Sequence, residues 1–563
     1  MTRLITSLYA AFSAVFLLGL LAGPRVAAAQ ADLVVHNATI YTMTSAQPTA
    51  EAMAIQGERI LMVGTTDQVR NAYPEAATLD AEGRAIVPGL IDAHGHLMGL
   101  AETFVQADLV GAESVGDVVE RLEAFAEDLP DNAWLEGRGW DQNEWPGEGD
   151  FPTRQDLDEA FPDRPVYLVR VDGHAAWVNT AALNAVGMDT IAEMEDPEGG
   201  TIRRDEGGQP TGILIDAAME IVSSDIPEPT NAQLDGALEE ALATTARLGL
   251  TGVHDAGASR ADIERFQRFI DTDRFPLRLY AMVGGRGDTF DYFCENGLMH
   301  DYKGRLSVRS VKFYMDGALG SRGAALLEDY HDDPGNRGLL MRSPEGLQED
   351  VEAALACGYQ VNTHAIGDRG NHEVLDAYAN AQSEQGTGPG RHRIEHAQVL
   401  TWSDMNRLSE LDIIASMQPK HATSDKGWAA DRLGEDRVQG AYAWQSLKER
   451  GVPLAFGSDF PVEPVDPIQG FHAAVTRQDA DNEPAGGWQP LERMARFQAL
   501  RGFTHGAAYA AFQENNRGQL APGYYADFVI LSDDIMQMPA TEMLNAEVVA
   551  TYLGGTPVYE REE

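Results

Sequence analysis

The pattern of apolar and polar positions predicts eight short strands that alternate with helical segments through the middle of the chain. Each strand is predicted from a short apolar run, and most of these runs are followed by residues with helical spacing. The predicted strands cover residues 85–93, 249–255, 277–283, 308–315, 358–363, 391–395, 412–417 and 452–457. Eight strands that alternate with helices are typical of a (β/α)8 barrel. We therefore assign the chain to the α/β class, with a TIM-like barrel over residues 85–514.

Two regions interrupt this alternation. Residues 97–247 show no regular repeat of strand and helix, and we interpret them as a large insertion after the first strand that covers the barrel mouth. Short alternating strands also occur at the two ends of the chain, in residues 30–84 and 515–563. We expect these two ends to form one small β-domain beside the barrel.

The first 29 residues are typical of a secretory signal peptide. Arg3 precedes an apolar run over residues 4–21, and the small residues 27–29 follow it. We expect cleavage after Ala29 and export to the periplasm or out of the cell, with no membrane association afterwards. The apolar run is long enough to span a bilayer, so an uncleaved membrane anchor is the alternative.

The composition restricts the partners. The 88 Asp and Glu residues against 42 Lys and Arg residues give a formal charge of −46, and so acidic a protein repels phosphate groups. Nucleic acids and anionic membranes are therefore excluded, and we expect a small-molecule substrate and allow a homo-oligomer. The two cysteines, Cys294 and Cys357, fall in different predicted units, so no disulfide bond is predicted.

Candidate metal ligands stand at the ends of the predicted strands. His94 and His96 end the first strand, and residues two apart on a strand point to the same side. His364 and His396 are 32 residues apart, about the length of one strand–helix unit, and Asp459 follows the last strand. Imidazole nitrogen and carboxylate oxygen are ligands that catalytic zinc sites use. One such histidine alone is more often a packed core residue, but the five residues together predict a zinc site.

Five motifs give the chain a resemblance to a known family. They are Pro88-Gly-Leu-Ile-Asp-Ala-His-Gly-His96, Lys312-Phe-Tyr-Met-Asp-Gly-Ala-Leu-Gly-Ser-Arg322, Thr363-His-Ala-Ile-Gly-Asp-Arg-Gly-Asn371, Arg393-Ile-Glu-His396 and Gly457-Ser-Asp-Phe-Pro461. Together they resemble the amidohydrolase superfamily, specifically its YtcJ-like branch, which includes N-substituted formamide deformylases. The resemblance extends along nearly the whole chain after the predicted signal. It implies a β-sandwich assembled from both chain ends.

The resemblance also implies a role for Lys312. In this superfamily a lysine on the fourth barrel strand is carboxylated and bridges two metal ions, so Lys312 would complete a site for two zinc ions. A buried ammonium is costly unless it is paired or neutralised. The alternative is an ion pair between Lys312 and Asp316, which would leave a workable site with a single zinc ion.

These residues predict a hydrolase that cleaves a C–N bond. Zinc lowers the pKa of bound water from about 15.7 to near 7 and so provides hydroxide at neutral pH. We expect Asp459 to accept the proton and then to pass it to the departing nitrogen. The predicted substrate is a small N-substituted formamide, another N-acyl compound or a cyclic amide.

Five further residues are candidate substrate contacts. Trp140 and His174 lie in the insertion, Arg322 follows the fourth strand, and Gln418 and His421 follow the seventh. Loops at the mouth of a barrel commonly carry such contacts. The alternative for Trp140 and His174 is packing or capping, and for Arg322 it is an ordinary surface position.

Two other functions remain open. Metal-activated hydroxide also attacks esters, lactones and phosphotriesters, so an enzyme for one of those substrates is the first alternative. The second is an exported metal-binding or regulatory protein that keeps the fold without catalysis. Assays of paired amide and ester substrates separate the first alternative. Unchanged biological activity of an Asp459→Asn variant would favour the second.

Overall fold

The computed structural model describes residues 30–127, 129–130, 133–146, 150–187, 194–227, 229–386, 388 and 390–562. The predicted signal peptide, residues 1–29, lies outside these residues. Within the described part of the chain, every helix is too short or too polar to cross a membrane.

The described residues form 25 strands and 18 α-helices. The strands are β1 (Leu33–His36), β2 (Thr39–Tyr41), β3 (Thr49–Ala50), β4 (Ala52–Gln56), β5 (Arg59–Gly64), β6 (Ala77–Asp80), β7 (Ala85–Pro88), β8 (Leu90–Gly95), β9 (Ala107–Asp108), β10 (Leu135–Trp140), β11 (Val166–Arg170), β12 (Ala175–Val178), β13 (Gly200–Arg204), β14 (Pro210–Asp216), β15 (Leu250–Ala258), β16 (Arg278–Gly284), β17 (Met299–Tyr302), β18 (Leu306–Tyr314), β19 (Gln360–Ala365), β20 (Arg393–His396), β21 (Ile414–Met417), β22 (Leu454–Phe456), β23 (Phe528–Leu531), β24 (Val548–Leu553) and β25 (Thr556–Glu560). The α-helices are Thr66–Ala72, Leu97–Thr103, Val115–Ala126, Arg154–Asp158, Thr180–Ala185, Glu220–Ser223, Asn231–Arg247, Arg260–Asp271, Asp288–Asn296, Pro344–Ala356, Asp368–Gln385, Trp402–Glu410, Pro419–Asp425, Ala429–Arg437, Trp444–Glu449, Pro467–Thr476, Arg496–Arg501 and Ala507–Ala510.

The centre of the molecule is a barrel of parallel strands. Their order is β8, β15, β16, β18, β19, β20, β21 and β22, and each strand pairs in parallel with the next. Two backbone hydrogen bonds join its first and last members: Asp459 N donates to His94 O over 2.7 Å, and His96 N donates to Phe460 O over 2.8 Å. The predicted TIM-like barrel is confirmed.

The first predicted strand is in fact two strands that belong to different sheets. β7 pairs with β2 and β23 in a terminal sheet, whereas β8 pairs with β15 in the barrel. Gly89 separates them, and a Cβ atom at this position would lie 2.2 Å from the Oγ1 atom of Thr251. Only glycine fits at this crossing. Because β7 belongs to the terminal sheet, the barrel begins at Leu90 and not at Ala85.

Strands from both ends of the chain form a β-sandwich. One sheet has the order β5-β4-β1-β6 and the other has the order β25-β24-β23-β7-β2-β3. Val35 and Met53 of the first sheet pack with Ile86 and Phe528 of the second in a common buried cluster. Each such side chain contributes about 1.5–3 kcal/mol when it is fully buried, which holds the two chain ends together beside the barrel.

The segment after β8 contains a separate domain with its own sheet and core. Its six strands have the order β13-β14-β12-β11-β10-β9, and their apolar side chains form a cluster of their own, apart from that of the barrel. The helix Asn231–Arg247 falls inside the predicted insertion, but its Leu238 and Ala241 pack into the barrel core. The inserted domain therefore ends before this helix, and not at residue 247.

The structure corrects the prediction that Cys294 and Cys357 are unpaired. They form a disulfide bond, with their Cα atoms 5.1 Å apart. Cys294 lies in the helix Asp288–Asn296, and Cys357 ends the helix Pro344–Ala356. These helices follow β16 and β18, which are neighbours in the barrel, so two positions in different predicted units lie side by side.

Candidate active site

The predicted ligands lie together at the carboxyl ends of the barrel strands. His96 Nε2 is 3.1 Å from Asp459 Oδ1, and His94 Nε2 is 3.4 Å from the same oxygen. The ring centroid of His396 lies 4.9 Å from that of His94 and 4.6 Å from that of His364. The barrel thus brings four imidazoles and one carboxylate to one place, although β8, β19, β20 and the segment after β22 are far apart in sequence.

Two of these residues have an uncommon backbone conformation. His396 and Asp459 have φ angles of 73° and 67°, in the left-handed region that costs a non-glycine residue about 1–3 kcal/mol. The hydrogen bond from Asp459 N to His94 O offsets part of this cost at the barrel seam. Conformations of this kind concentrate at functional sites. Here they direct the side chains of both residues toward the same point.

Hydrogen bonds from outside the cluster orient two of the histidines. Glu395 Oε2 lies 2.5 Å from His94 Nδ1, and Gln418 Oε1 lies 2.8 Å from His396 Nδ1. If Nδ1 donates in each case, Nε2 keeps its lone pair for a metal, which is the usual arrangement of histidine ligands. Glu395 is held in turn by Arg393, whose Nε lies 2.8 Å from Glu395 Oε1.

The environment sets the charge of the cluster. Burial lowers the pKa of His94 to about 4, and the positive charge of Lys312 acts in the same direction. Burial also lowers the pKa values of His364 and His396 well below the ordinary histidine range. Burial alone would raise the pKa of Asp459, but the neighbouring histidines hold it well below its usual value. Near pH 7, His94, His364 and His396 are therefore neutral and Asp459 is ionised, which are the forms that bind metals.

These donors fit a metal ion. One ligand atom from each of His94, His396 and Asp459 lies within 4.8 Å of the other two. His364 Nδ1 is buried, has no hydrogen-bond partner among the described residues and lies 3.4 Å from Asp316 Oδ1. Imidazole and carboxylate ligands suit zinc and other transition metals, so the cluster has the chemistry of a metal centre.

Lys312 lies next to this cluster. Its side chain is buried, and Nζ is 3.4 Å from His94 Nε2 and 4.4 Å from the centroid of the Tyr314 ring. The alternative ion pair with Asp316 does not form in the described structure, because the Asp316 carboxylate accepts hydrogen bonds from the backbone N–H groups of Ala325, Ile366 and Gly367.

A cavity of about 1120 Å³ opens above the cluster, between the barrel mouth and the inserted domain. His421 lines it from the barrel side, and its Nε2 is 3.8 Å from Asp459 Oδ2. His174 lines it from the inserted domain and contacts Asp216, with 2.5 Å between Nδ1 and Oδ1. Burial alone would lower the pKa of His174, but the Asp216 carboxylate raises it to about 8.

Three predicted substrate contacts lie elsewhere. Trp140 is fully buried in the core of the inserted domain, where its indole N–H donates to Leu168 O over 2.9 Å. Arg322 pairs with Asp332, with 3.0 Å between Nη2 and Oδ2, and does not line the cavity. Gln418 is 3% exposed and binds His396, so it positions a ligand and does not face substrate.

Sequence reasoning missed three residues that the structure places at or behind the site. Glu395 directly precedes His396, and a carboxylate next to a candidate ligand histidine indicates a partner for the cluster. Asp92 accepts hydrogen bonds from Ser458 N and Oγ, which link the first and last strands. Arg138, two residues before Trp140, lines the cavity; strand alternation around Leu135 and Gly137 was the available signal.

The comparisons with known proteins agree with this geometry. Residues 77–559 match the model of the amidohydrolase family. YtcJ of Bacillus subtilis (strain 168) is 34% identical over 93% of this chain and 99% of its own length. The N-substituted formamide deformylase of Arthrobacter pascens is 28% identical over 94% of this chain and 98% of its own. The solved structure of an uncharacterized metal-dependent hydrolase from Pyrococcus horikoshii OT3 is 26% identical, covers 90% of this chain and 99% of its own, and has a TM-score of 0.73.

The barrel fold, shared with a solved metal-dependent hydrolase, and the histidine–carboxylate cluster at the barrel mouth define the class of the protein. The chain belongs to the amidohydrolase family.

Proposed function

We propose that this protein is a metal-dependent amidohydrolase that cleaves the C–N bond of a small N-substituted formamide, N-acyl compound or cyclic amide. The observation that carries the proposal is the convergence of His94, His396 and Asp459 beneath an open cavity. The similarity to a formamide deformylase over nearly the full length of both chains supports an amide as the substrate. Zinc is the proposed ion, because its catalytic sites combine imidazole and carboxylate ligands.

His94, His96, His364, His396 and Asp459 would hold the metal. When bound, the metal polarises a carbonyl group and lowers the pKa of water at the site. Asp459 is ionised, and it can accept a proton and then deliver it to the departing nitrogen. That second transfer matters because an amide nitrogen leaves poorly without a proton. Protonated His174 faces the same cavity and can donate a hydrogen bond to the substrate.

The number of metal ions remains part of the proposal. A carboxylated Lys312 would add a ligand between two ions, and the position of its Nζ beside His94 supports this arrangement. A metal content near two zinc ions per chain is the result expected for the binuclear site. A content near one would limit the site to a single ion and leave Lys312 unmodified.

Export to the periplasm or out of the cell also stays a proposal, as does any homo-oligomer. The disulfide bond between Cys294 and Cys357 supports export, because disulfide bonds persist mainly in oxidising compartments.

The test compares amide and ester substrates in the wild type and in Asp459→Asn. We expect the wild type to hydrolyse N-substituted formamides faster than the matching formate esters, relative to the uncatalysed rates. Asp459→Asn should lower kcat by about 10²–10⁴-fold, the usual contribution of a positioned acid–base group. Asp273→Asn is the matched control, because Asp273 is exposed and far from the site. Wild-type turnover by Asp459→Asn, or hydrolysis of esters alone, would contradict the proposal.

A further inference from the structure

The guanidinium of Arg138 faces the cavity, and the described residues provide few hydrogen-bond acceptors for it. Its Nη2 donates to Val171 O over 3.2 Å, while Nε is buried without a hydrogen-bond partner in the described residues. Its main charge interactions, with Asp172, Asp459 and Glu102, act at longer range. A guanidinium has five N–H donors and stays protonated, so most of its hydrogen-bonding capacity is unused by the described residues at this wall of the cavity.

Two of the other cations that line this cavity, one from the inserted domain and one from a barrel loop, are already paired. Arg170 binds Asp141 and Asp172 through its two terminal nitrogens. Lys426 Nζ lies 2.7 Å from Asp479 Oδ2. The carboxylate of Asp172 thus binds Arg170 directly, and its interaction with Arg138 acts only at longer range. Holding a half-buried guanidinium without a close carboxylate is costly, and a ligand that supplied one would remove that cost.

The strand geometry fixes the direction of the Arg138 side chain. In β10 the residues Leu135 and Gly137 are buried, while Glu136 and Arg138 lie on the more open face. The loop after β11 passes beside the guanidinium at Gly173, where a Cβ atom would lie 3.2 Å from Nη2. With a φ of 75°, glycine both suits this turn and leaves the room that the guanidinium occupies.

We propose that Arg138 anchors a carboxylate of the substrate, so that the preferred substrates are N-formyl or N-acyl compounds with an acidic group at the end remote from the scissile bond. This inference rests on the proposed amide hydrolysis. An arginine fork binds a carboxylate through two parallel hydrogen bonds. The cluster around Asp459 and the fork at Arg138 line the same cavity, so one small molecule is held at both ends. The inserted domain then selects the substrate, and the barrel performs the chemistry.

The test uses substrates that differ only at the remote end. N-formylglycine is compared with N-formylethanolamine, and N-formyl-4-aminobutanoate with N-formyl-4-aminobutanol. We expect the wild type to have the lower KM for the carboxylate in at least one pair. Arg138→Gln should raise that KM by about 10- to 100-fold, the range of a charge-assisted hydrogen bond, and should change the KM of the alcohol less than twofold. Arg138→Lys keeps the charge and loses the two parallel hydrogen bonds. Its KM for the carboxylate should therefore lie between those of the wild type and Arg138→Gln.

Arg203→Gln is the matched control. Arg203 is an exposed arginine of the same inserted domain and lies outside the cavity, so this variant removes the same charge without touching the site. An equal effect of Arg138→Gln on both members of each pair, or no effect on either, would overturn the inference.

Failure of the proposed function gives a different result. In that case the wild type cleaves none of the four compounds, and binding is measured by the rise in melting temperature with each compound. A rise with the carboxylates that is lost in Arg138→Gln and kept in Arg203→Gln would support the anchor even then. Equal melting temperatures with carboxylate and alcohol would refute it.

Discussion

Replacing Glu395 with glutamine tests whether the partner of a ligand histidine controls metal binding. Glu395 is completely buried, and its carboxylate stands between Arg393 and His94 Nδ1. Burial alone would raise the pKa of Glu395, but the charge of Arg393 and the hydrogen bond with His94 hold it well below the ordinary range. Glutamine keeps the shape of this side chain and removes its charge.

The size of the effect follows from the two contacts. A hydrogen bond to a charged group contributes about 1.5–3 kcal/mol, against about 0.5–1.5 kcal/mol for a neutral one. Losing that difference of about 1–1.5 kcal/mol at His94 should weaken metal binding by about 5- to 13-fold, at the low end of the range of about 10- to 100-fold found for such partners of ligands. Arg393 would keep Ala93 O and Ser416 Oγ as acceptors but lose its carboxylate, and breaking a buried ion pair costs about 3–5 kcal/mol.

The assay is a competition between the protein and a zinc chelator of known affinity, at a temperature where circular dichroism shows both proteins folded. Glu384→Gln is the control, because Glu384 is exposed and its replacement should leave zinc affinity and melting temperature unchanged. A folded Glu395→Gln protein that binds zinc within twofold of the wild-type affinity would refute this account of the site.

Two further predictions concern stability. Replacing both Cys294 and Cys357 with serine removes a link between positions 63 residues apart, which should cost about 4 kcal/mol and lower the melting temperature; two free thiols in the unreduced wild type would contradict it. The His174–Asp216 pair raises the pKa of His174 from 6.5 to about 8, so its stabilisation, about 2 kcal/mol by linkage, is complete below pH 6.5 and is lost as the pH rises through 8. Asp216→Asn should therefore lower the melting temperature at pH 6 much more than at pH 9, and an equal loss at both would count against the pair.

The convergence of the candidate metal ligands could be predicted from sequence because the position of each one follows a local rule. His94, His364 and His396 end apolar runs, and the carboxyl ends of barrel strands meet at one face. No knowledge of the loops is needed for that conclusion. The pairing of Glu395 with His94 joins two different strands. It depends on the closed barrel, so it could not be predicted from the sequence.

Substrate contacts were harder to predict because they depend on which face of a strand a side chain occupies and on partners from other segments of the chain. The pairing of β10 with β11 shifts between Arg138 and Trp140, and such an irregularity turns the next side chain to the other face. Trp140 therefore points into the core, whereas Arg138 reaches the cavity. Arg322 is engaged by Asp332, a residue of the following loop that no periodic pattern identifies.

The sandwich built from both chain ends has a consequence for the order of assembly during synthesis. β7 lies between β2 and β23, so an apolar strand made early stays without one neighbour until almost the entire polypeptide has left the ribosome. An unpaired edge of this kind promotes aggregation. We therefore expect this edge of β7 to be an aggregation-prone site of the nascent chain until its last residues are made.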